Sequence, residues 1–403
     1  MSDLVPLEKA LDFLLGEVRE DTRETELSLA HSRGCVLATD QRARVNVPAF
    51  DNSAMDGYAV HTADLDAPGC VLPVAQTIAA GHPGAALARG TAARIFTGAP
   101  IPSGANAVVM QENTRQEQTG IAIQVLPHAG ENIRRKGHDI ESDSRVLHAG
   151  HRLRPQDLGL LASLGIDKVR VRQPLTAAII NTGDEVVAPG QPLAPGQIYD
   201  SNSFTLEGLL SGLGLRVVKK GIVGDTLEGT RAVLREAARE ADCILTTGGV
   251  SVGDEDHVRR AIESLGHMAL YRLAIKPGKP FSFGQVDGKP VFGLPGNPVA
   301  VFVTFAMLVR PFLLKMMGAI DLDPPKLGVP AGFAVKTPGT RLEFLRVRLV
   351  TTDTGEQVLE AFANQGSSIL TSLSWADGLA EIPAGQTVEK GQMLKYLPFS
   401  GIL

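Results

Sequence analysis

Between residue 174 and about residue 318 short apolar runs alternate with amphipathic stretches, and this alternation constrains the fold more than any other feature. Leu175 to Asn181 suits a strand buried on both faces, and the turn TGDE follows it. A helix is expected around Phe204 to Leu213 and a strand around Leu215 to Gly221. TLEGTRAVLREAARE is amphipathic, and ADCILTT after it reads as another buried strand. Strand and helix in this order predict a mainly parallel sheet with helices on both faces. The DG turn between Gln285 and Lys289 adds a hairpin at one edge. Val299 to Met317 is the most apolar segment, but Arg310, Pro311 and Lys315 interrupt it, so it reads as a buried helix and no membrane span is expected.

The flanking regions differ in texture. A chain of 403 residues is longer than one core normally serves. Residues 1–43 read helical, with Leu4, Leu7, Leu11, Leu14, Leu15 and Val18 near helical spacing. Residues 44–135 break into short Val/Ile/Ala runs between Gly and Pro, the pattern of a β-rich insertion. The chain then returns to its first region over 136–173, where Pro155 to Leu164, closed by Gly165, has the proline and glycine of a capped helix. The final stretch, 323–403, alternates again and reads as a small β-barrel or sandwich. The expected fold class is therefore α/β and β multidomain, with the α/β domain at 174–322.

Charge and cysteine usage exclude some function classes. Lysine and arginine total 39 against 44 acids, a net charge of −5, which argues against a nucleic-acid partner. Cys35, Cys70 and Cys243 lie far apart and include no CxxC pair, so neither a disulfide framework nor a zinc knuckle is suggested and a reducing, cytoplasmic setting fits. The N-terminus lacks the basic start and apolar core of a signal peptide. No HExxH, GxSxG or GxxxxGK[ST] pattern occurs.

Chemistry is expected beyond the carboxyl ends of the parallel strands, where ligands of such sheets bind. The loop TTGGVSVGDED, Thr246 to Asp256, offers Gly248, Gly249 and Gly253 for close backbone approach, the hydroxyls of Thr246, Thr247 and Ser251, and the carboxylates of Asp254, Glu255 and Asp256. Two readings stand: a phosphate and Mg²⁺ site, or a glycine turn whose acids stabilise a helix N-terminus. Asn181 to Glu185, Tyr199 to Asn202 and Asp225 add acids and hydroxyls at the same rim, and each also reads as a capped turn. In GLPGNPVAVF, Asn297 suits an N-cap and Pro298 the first helical position. IKPGKP holds Lys276 and Lys279 on a proline-stiffened loop, suited to an oxyanion or merely solvated. DNSAMDGYAV and RRKGHDI present Asp51, Asp56, Arg134, Arg135 and Asp139 around turns.

Taken together, VPAFDNSAMDGYAV, RIFTGAPIPSGANAVVMQE, NIRRKGHDI, NTGDEV, IYDSNS, TTGGVSVGDEDHV, IKPGKPFSFG and GLPGNPVAVF, with RLEFLRV and NQGSSILTSLS, closely resemble the molybdopterin molybdenumtransferase family, the bacterial MoeA proteins and the gephyrin E domain. The resemblance implies a MoaB/MogA-like α/β domain and insertion of molybdate into adenylylated molybdopterin with Mg²⁺-dependent release of AMP. It implies metal and anhydride chemistry on Asp225 and Asp256 with Glu185, and substrate binding at Gly248, Gly249 and Ser251. Molybdate would sit on Lys276 and Lys279 with Arg341 and Ser367, and Pro295 and Pro298 would also bind substrate. Asp56, Thr97, Arg134 and Asp139 would complete the cleft across a homodimer interface, and contact with a molybdopterin adenylyltransferase is a possible partnership. Two departures from the family pattern are Ala300, where serine is frequent, and Asn106, where aspartate is common. Rival readings are adenylylation of molybdopterin by ATP, which needs only the α/β region, and a non-catalytic scaffold.

Overall fold

The computed structural model describes residues 4–224, 226–248 and 257–402. At its centre is a six-stranded sheet in which Arg216–Val223, Thr176–Thr182, Cys243–Thr247 and Lys289–Leu294 run parallel in that spatial order. Pro280–Val286 and Gly266–Arg272 continue it antiparallel. The strands form because their apolar residues are buried on both faces: every residue of Cys243–Thr247 is inaccessible or nearly so. Leu7–Gly16, Asn202–Gly212 and the helical stretch Pro298–Met316 pack on one face, and Leu227–Glu240 with His257–Leu265 on the other. Thr226 starts the fourth of these, its hydroxyl accepting the Gly229 N–H at 3.2 Å.

The hairpin around Asp287 and Gly288 forms, both residues at positive φ. It does not lie at the edge, however. Gly266–Arg272 takes the edge position, because the apolar strand Pro280–Val286 needs cover on both sides. In the helix Pro298–Met316, 89% of an 18-residue apolar window is buried within the protein, so it is a core helix. One π-helical turn, Phe305–Val309, precedes Pro311, whose missing N–H would leave the Met307 carbonyl without its ordinary helical partner.

The helical expectation for residues 1–43 holds only for Leu7–Gly16. Ala10 and Leu14 of that helix are fully buried among Phe281, Phe283 and Phe312, so it belongs to the central domain's core. Glu24–Ser28 is a strand paired with Lys168–Arg172, and Gln41–Arg42 pairs with Arg145–Leu147. ETELS alternates, with Leu27 against the small core of Leu37, Leu161 and Val171, which is strand periodicity rather than helical. Pro155–Ser163 is the expected helix, with Gly165 at φ +74° beyond it.

The insertion contains a four-stranded and a three-stranded sheet with two small cores. Its hydrogen bonds close within itself and onto the segments around residues 43–48 and 130–144. At the C-terminal end Leu327–Pro330, Met393–Pro398, Gly378–Ile382, Leu342–Thr351 and Gln357–Ala361 are hydrogen-bonded in that order. The bridge from Ala331 to Leu359 closes the ring, a small barrel. Phe344, Leu379 and Leu397 join the core under the helix Pro298–Met316, which locks the barrel to the central domain.

Candidate active site

The carboxyl ends of the parallel strands carry a polar cluster. Thr247 Oγ1 donates to Asn181 Oδ1 at 2.8 Å, both residues buried. Gly248 sits at φ +84°, and a Cβ there would lie 2.5 Å from the Thr182 carbonyl oxygen. The Thr246 hydroxyl is buried and has no hydrogen-bond partner among the described residues. Glu185 is exposed, its carboxylate folded back over Gly183, and the Asp184 carboxylate lies against Gly224. Asp225, Gly249, Ser251 and Asp256 lie outside the described residues. Among the described residues no three His, Cys, Asp or Glu side chains gather as a metal site.

The LPGNP loop connects this rim to the barrel. Asn202 Nδ2 donates to the Gly296 carbonyl at 2.8 Å, while Asn202 Oδ1 is buried and unpartnered among the described residues. Pro295 is buried, and Pro298 opens the helix as its first residue. Asn297 stands at the N-cap, but its side chain makes no cap bond, contrary to expectation. The free helix N–H of Val299 goes instead to the Ser367 carbonyl at 3.1 Å, so a barrel-side segment satisfies the helix start.

Lys276 and Lys279 flank a turn packed onto that helix. A Cβ on Gly278 would meet Thr304 Cγ2 at 2.7 Å, so only glycine allows the approach. Ile275–Lys276 pairs in parallel with Leu342–Glu343 of the barrel, and Arg341 Nη1 donates to the Ile275 carbonyl at 2.8 Å. The two lysines are not equivalent. Lys276 Nζ lies 3.1 and 3.2 Å from the two Glu343 oxygens, whereas the exposed Lys279 side chain has no partner among the described residues. Sequence reasoning missed Glu343; its signal was an acid two residues after Arg341, near the start of the alternating run LEFLRVRLV.

A second cluster lies in the insertion. The Asp56 carboxylate accepts both the backbone N–H and the hydroxyl of Thr97 at 2.8 Å. The Thr97 N–H, then its hydroxyl, hold the Asp56 carboxyl below its usual range. Arg134 is brought beside them because Ile133–Arg134 pairs with Asn52–Ser53, and the Ser53 N–H reaches Ala99 at 3.0 Å in the loop after Thr97. Asp139 follows in the segment held to Val47. Arg134 and Asp139 are exposed, with no side-chain partner among the described residues.

Other features carry no such chemistry. Asn106 bonds Thr62 through both amide atoms, at 2.8 and 3.0 Å, and so clasps a turn. Ala300 is buried in its helix. A cavity of about 690 Å³ lies away from both clusters, lined by Arg33, Arg152, Arg154 and Arg310. The Arg152 and Arg310 guanidinium groups there are taken up by main-chain carbonyls of Gly34, Gly212, Leu322, Gly401 and Ile402, which makes it a clasp between regions.

Known proteins carry the same arrangement from end to end. Residues 5–165 match the model of the MoeA N-terminal region (domain I and II), residues 178–315 that of a "Probable molybdopterin binding domain", and residues 328–399 that of the MoeA C-terminal region (domain IV). The molybdopterin molybdenumtransferase of Haemophilus influenzae is 36% identical over 99% of this chain and 100% of its own length. The chain belongs to the molybdopterin molybdenumtransferase family. Molybdopterin molybdenumtransferase 2 of Mycobacterium tuberculosis is also 36% identical, over 92% of this chain and 93% of its own. The crystal structure of the molybdopterin biosynthesis moeA protein from Pyrococcus horikoshii OT3 superposes with a TM-score of 0.84 at 30% identity, covering 98% and 100% of the two chains. Membership of the family makes this chain a transferase of molybdenum cofactor biosynthesis.

Proposed function

We propose that this enzyme inserts molybdate into adenylylated molybdopterin with Mg²⁺-dependent release of AMP, in the cytoplasm, as a homodimer whose clefts combine two subunits. The observation that carries the reading is the LPGNP loop, which bonds Asn202 on one side and leads into the helix whose Val299 N–H bonds Ser367 on the other, the same helix that the Lys276–Lys279 turn packs against at Thr304. A substrate with a phosphoanhydride at one end and a metal-accepting group at the other needs two such sites in one groove.

The residues divide the work by charge. Lys276, Lys279 and Arg341 supply the positive field that holds the molybdate dianion, with Ser367 and Pro298 beside it. Gly248 and Gly249 let the backbone approach the pterin phosphate, and Thr246 and Ser251 offer hydroxyls to its oxygens. Glu185, Asp225 and Asp256 are carboxylates, the hard oxygen donors that Mg²⁺ takes alongside phosphate and water, so the donor set fits that ion. Mg²⁺ held there would polarise the anhydride as a Lewis acid. Asp56, Thr97, Arg134 and Asp139 close the groove from the partner subunit, and Arg134 faces the phosphates best by charge.

Two assays test this. Adenylylated molybdopterin with molybdate should release AMP only when molybdate is present, and Asp256→Ala should abolish that release while circular dichroism stays unchanged. Formation of an AMP adduct from molybdopterin and ATP would instead assign the chain to the preceding adenylylation step.

A further inference from the structure

We propose that Glu343 is the internal counter-ion of the molybdate site, holding Lys276 until the oxyanion displaces its carboxylate, and so setting the affinity for molybdate. The inference rests on the placing of molybdate at Lys276 and Lys279 given above. Both Glu343 oxygens reach the Lys276 ammonium, at 3.1 and 3.2 Å, so the ion pair is two-pronged. Backbone register fixes it. Lys276 and Glu343 are directly paired across the two strands, and the Leu342 N–H bonds the Ala274 carbonyl at 3.0 Å. Gly339 makes room for the carboxylate, since a Cβ there would overlap Glu343 Oε1.

Exposure is asymmetric in a way that suits exchange. The Glu343 side chain is 15% exposed and that of Lys276 is 50% exposed, so the acid is the shielded partner and the ammonium the one that faces solvent. An arriving anion can therefore approach Lys276 from its open side. Lys276, Lys279 and Arg341, with the buried Arg346 guanidinium bonded to the Gly366 carbonyl at 3.1 Å, outnumber Glu343, so the region stays positive with the ion pair formed. Competition from the Glu343 carboxylate for Lys276, and its repulsion of a dianion a few ångströms away, oppose binding, and in partly solvated surroundings this is enough to change affinity about tenfold.

Equilibrium dialysis of molybdate against the full-length protein tests the proposal. Glu343→Gln, which keeps the shape and removes the charge, should bind molybdate about tenfold more tightly than the wild type, and Lys276→Gln should bind it far more weakly. In the AMP-release assay the molybdate KM of Glu343→Gln should fall while kcat does not rise, a split that mere loss of a structural ion pair would not give. Weakened binding in Lys276→Gln with unchanged or weaker binding in Glu343→Gln overturns the counter-ion role and leaves the molybdate site standing. Unchanged binding in Lys276→Gln removes the site itself, and the inference with it. Should Glu343→Gln give no folded protein, Glu343→Ser removes the same charge with a smaller side chain and carries the same expectation.

Discussion

Asp56 is an exposed carboxylate kept anionic by two donors from one residue, the N–H and the hydroxyl of Thr97. Thr97→Val removes the hydroxyl and leaves the N–H, so the Asp56 pKa should rise partway toward its ordinary value. Carboxyl titration by NMR with labelled aspartate reads this directly, and an unmoved titration would dismiss the hydroxyl's part. The sign follows from the lowered pKa: the charged form is favoured in the folded state, and that preference is lost as pH falls through the folded value. Gly248 makes a different point at the same scale. Its glycine suggests room for an anion, but a side chain there is first of all blocked by the Thr182 carbonyl and by a φ of +84°. Gly248→Ala should cost on the order of 1–3 kcal/mol and lower the thermal midpoint even without ligand. A variant as stable as the wild type would show that the strand ends can adjust.

The helix Pro155–Ser163 illustrates how one side chain fixes an element. Asp157 is 3% exposed and accepts the Arg154 N–H at 2.8 Å, its guanidinium Nε at 3.0 Å and His151 Nε2 at 2.8 Å. Burial pushes the carboxyl pKa up, but the bonds from Arg154 and His151 outweigh this and hold it at about 2. Because the folded value is depressed, the contribution is complete above the unfolded pKa near ~4 and disappears as pH drops toward 2, and it amounts to about 2–3 kcal/mol. Asp157→Asn should therefore unfold at lower urea than the wild type at pH 7, with the difference shrinking near pH 3. An equal difference at both pH values would contradict the charge argument. The proline at its start and the glycine at its end made this helix legible, since both signals are local. The strand Glu24–Ser28 was not, because its partner Lys168–Arg172 lies in a distant stretch of chain and five residues of alternation are easily absorbed into a preceding helical pattern. The parallel strands were legible for the opposite reason: burial on both faces writes continuous apolar runs such as CILTT.

At the scale of the molecule, the sequence exposed the pieces of the candidate site as local motifs but not their pairing. Nothing near Lys276 names Glu343 as its partner, and nothing near Val299 names Ser367; both contacts exist only because the barrel docks on the helix Pro298–Met316. The same reasoning applies to the proposed pairing of subunits. The Asp56 and Arg134 cluster is built on a separate pair of cores, with hydrogen bonds that close within the insertion and its base, while Lys276 and Glu185 belong to the central domain. If each cleft combines the insertion of one subunit with the central domain of the other, damage on the two sides can be separated. Arg134→Ala and Lys276→Ala should each abolish molybdate-dependent AMP release. After dissociation, mixing in equal amounts and reassociation, half of the dimers are mixed. Each mixed dimer has one cleft carrying both lesions and one carrying neither, so about a quarter of wild-type activity should return. If both clusters served one cleft within a single chain, every cleft in a mixed dimer would keep one lesion and no activity would return.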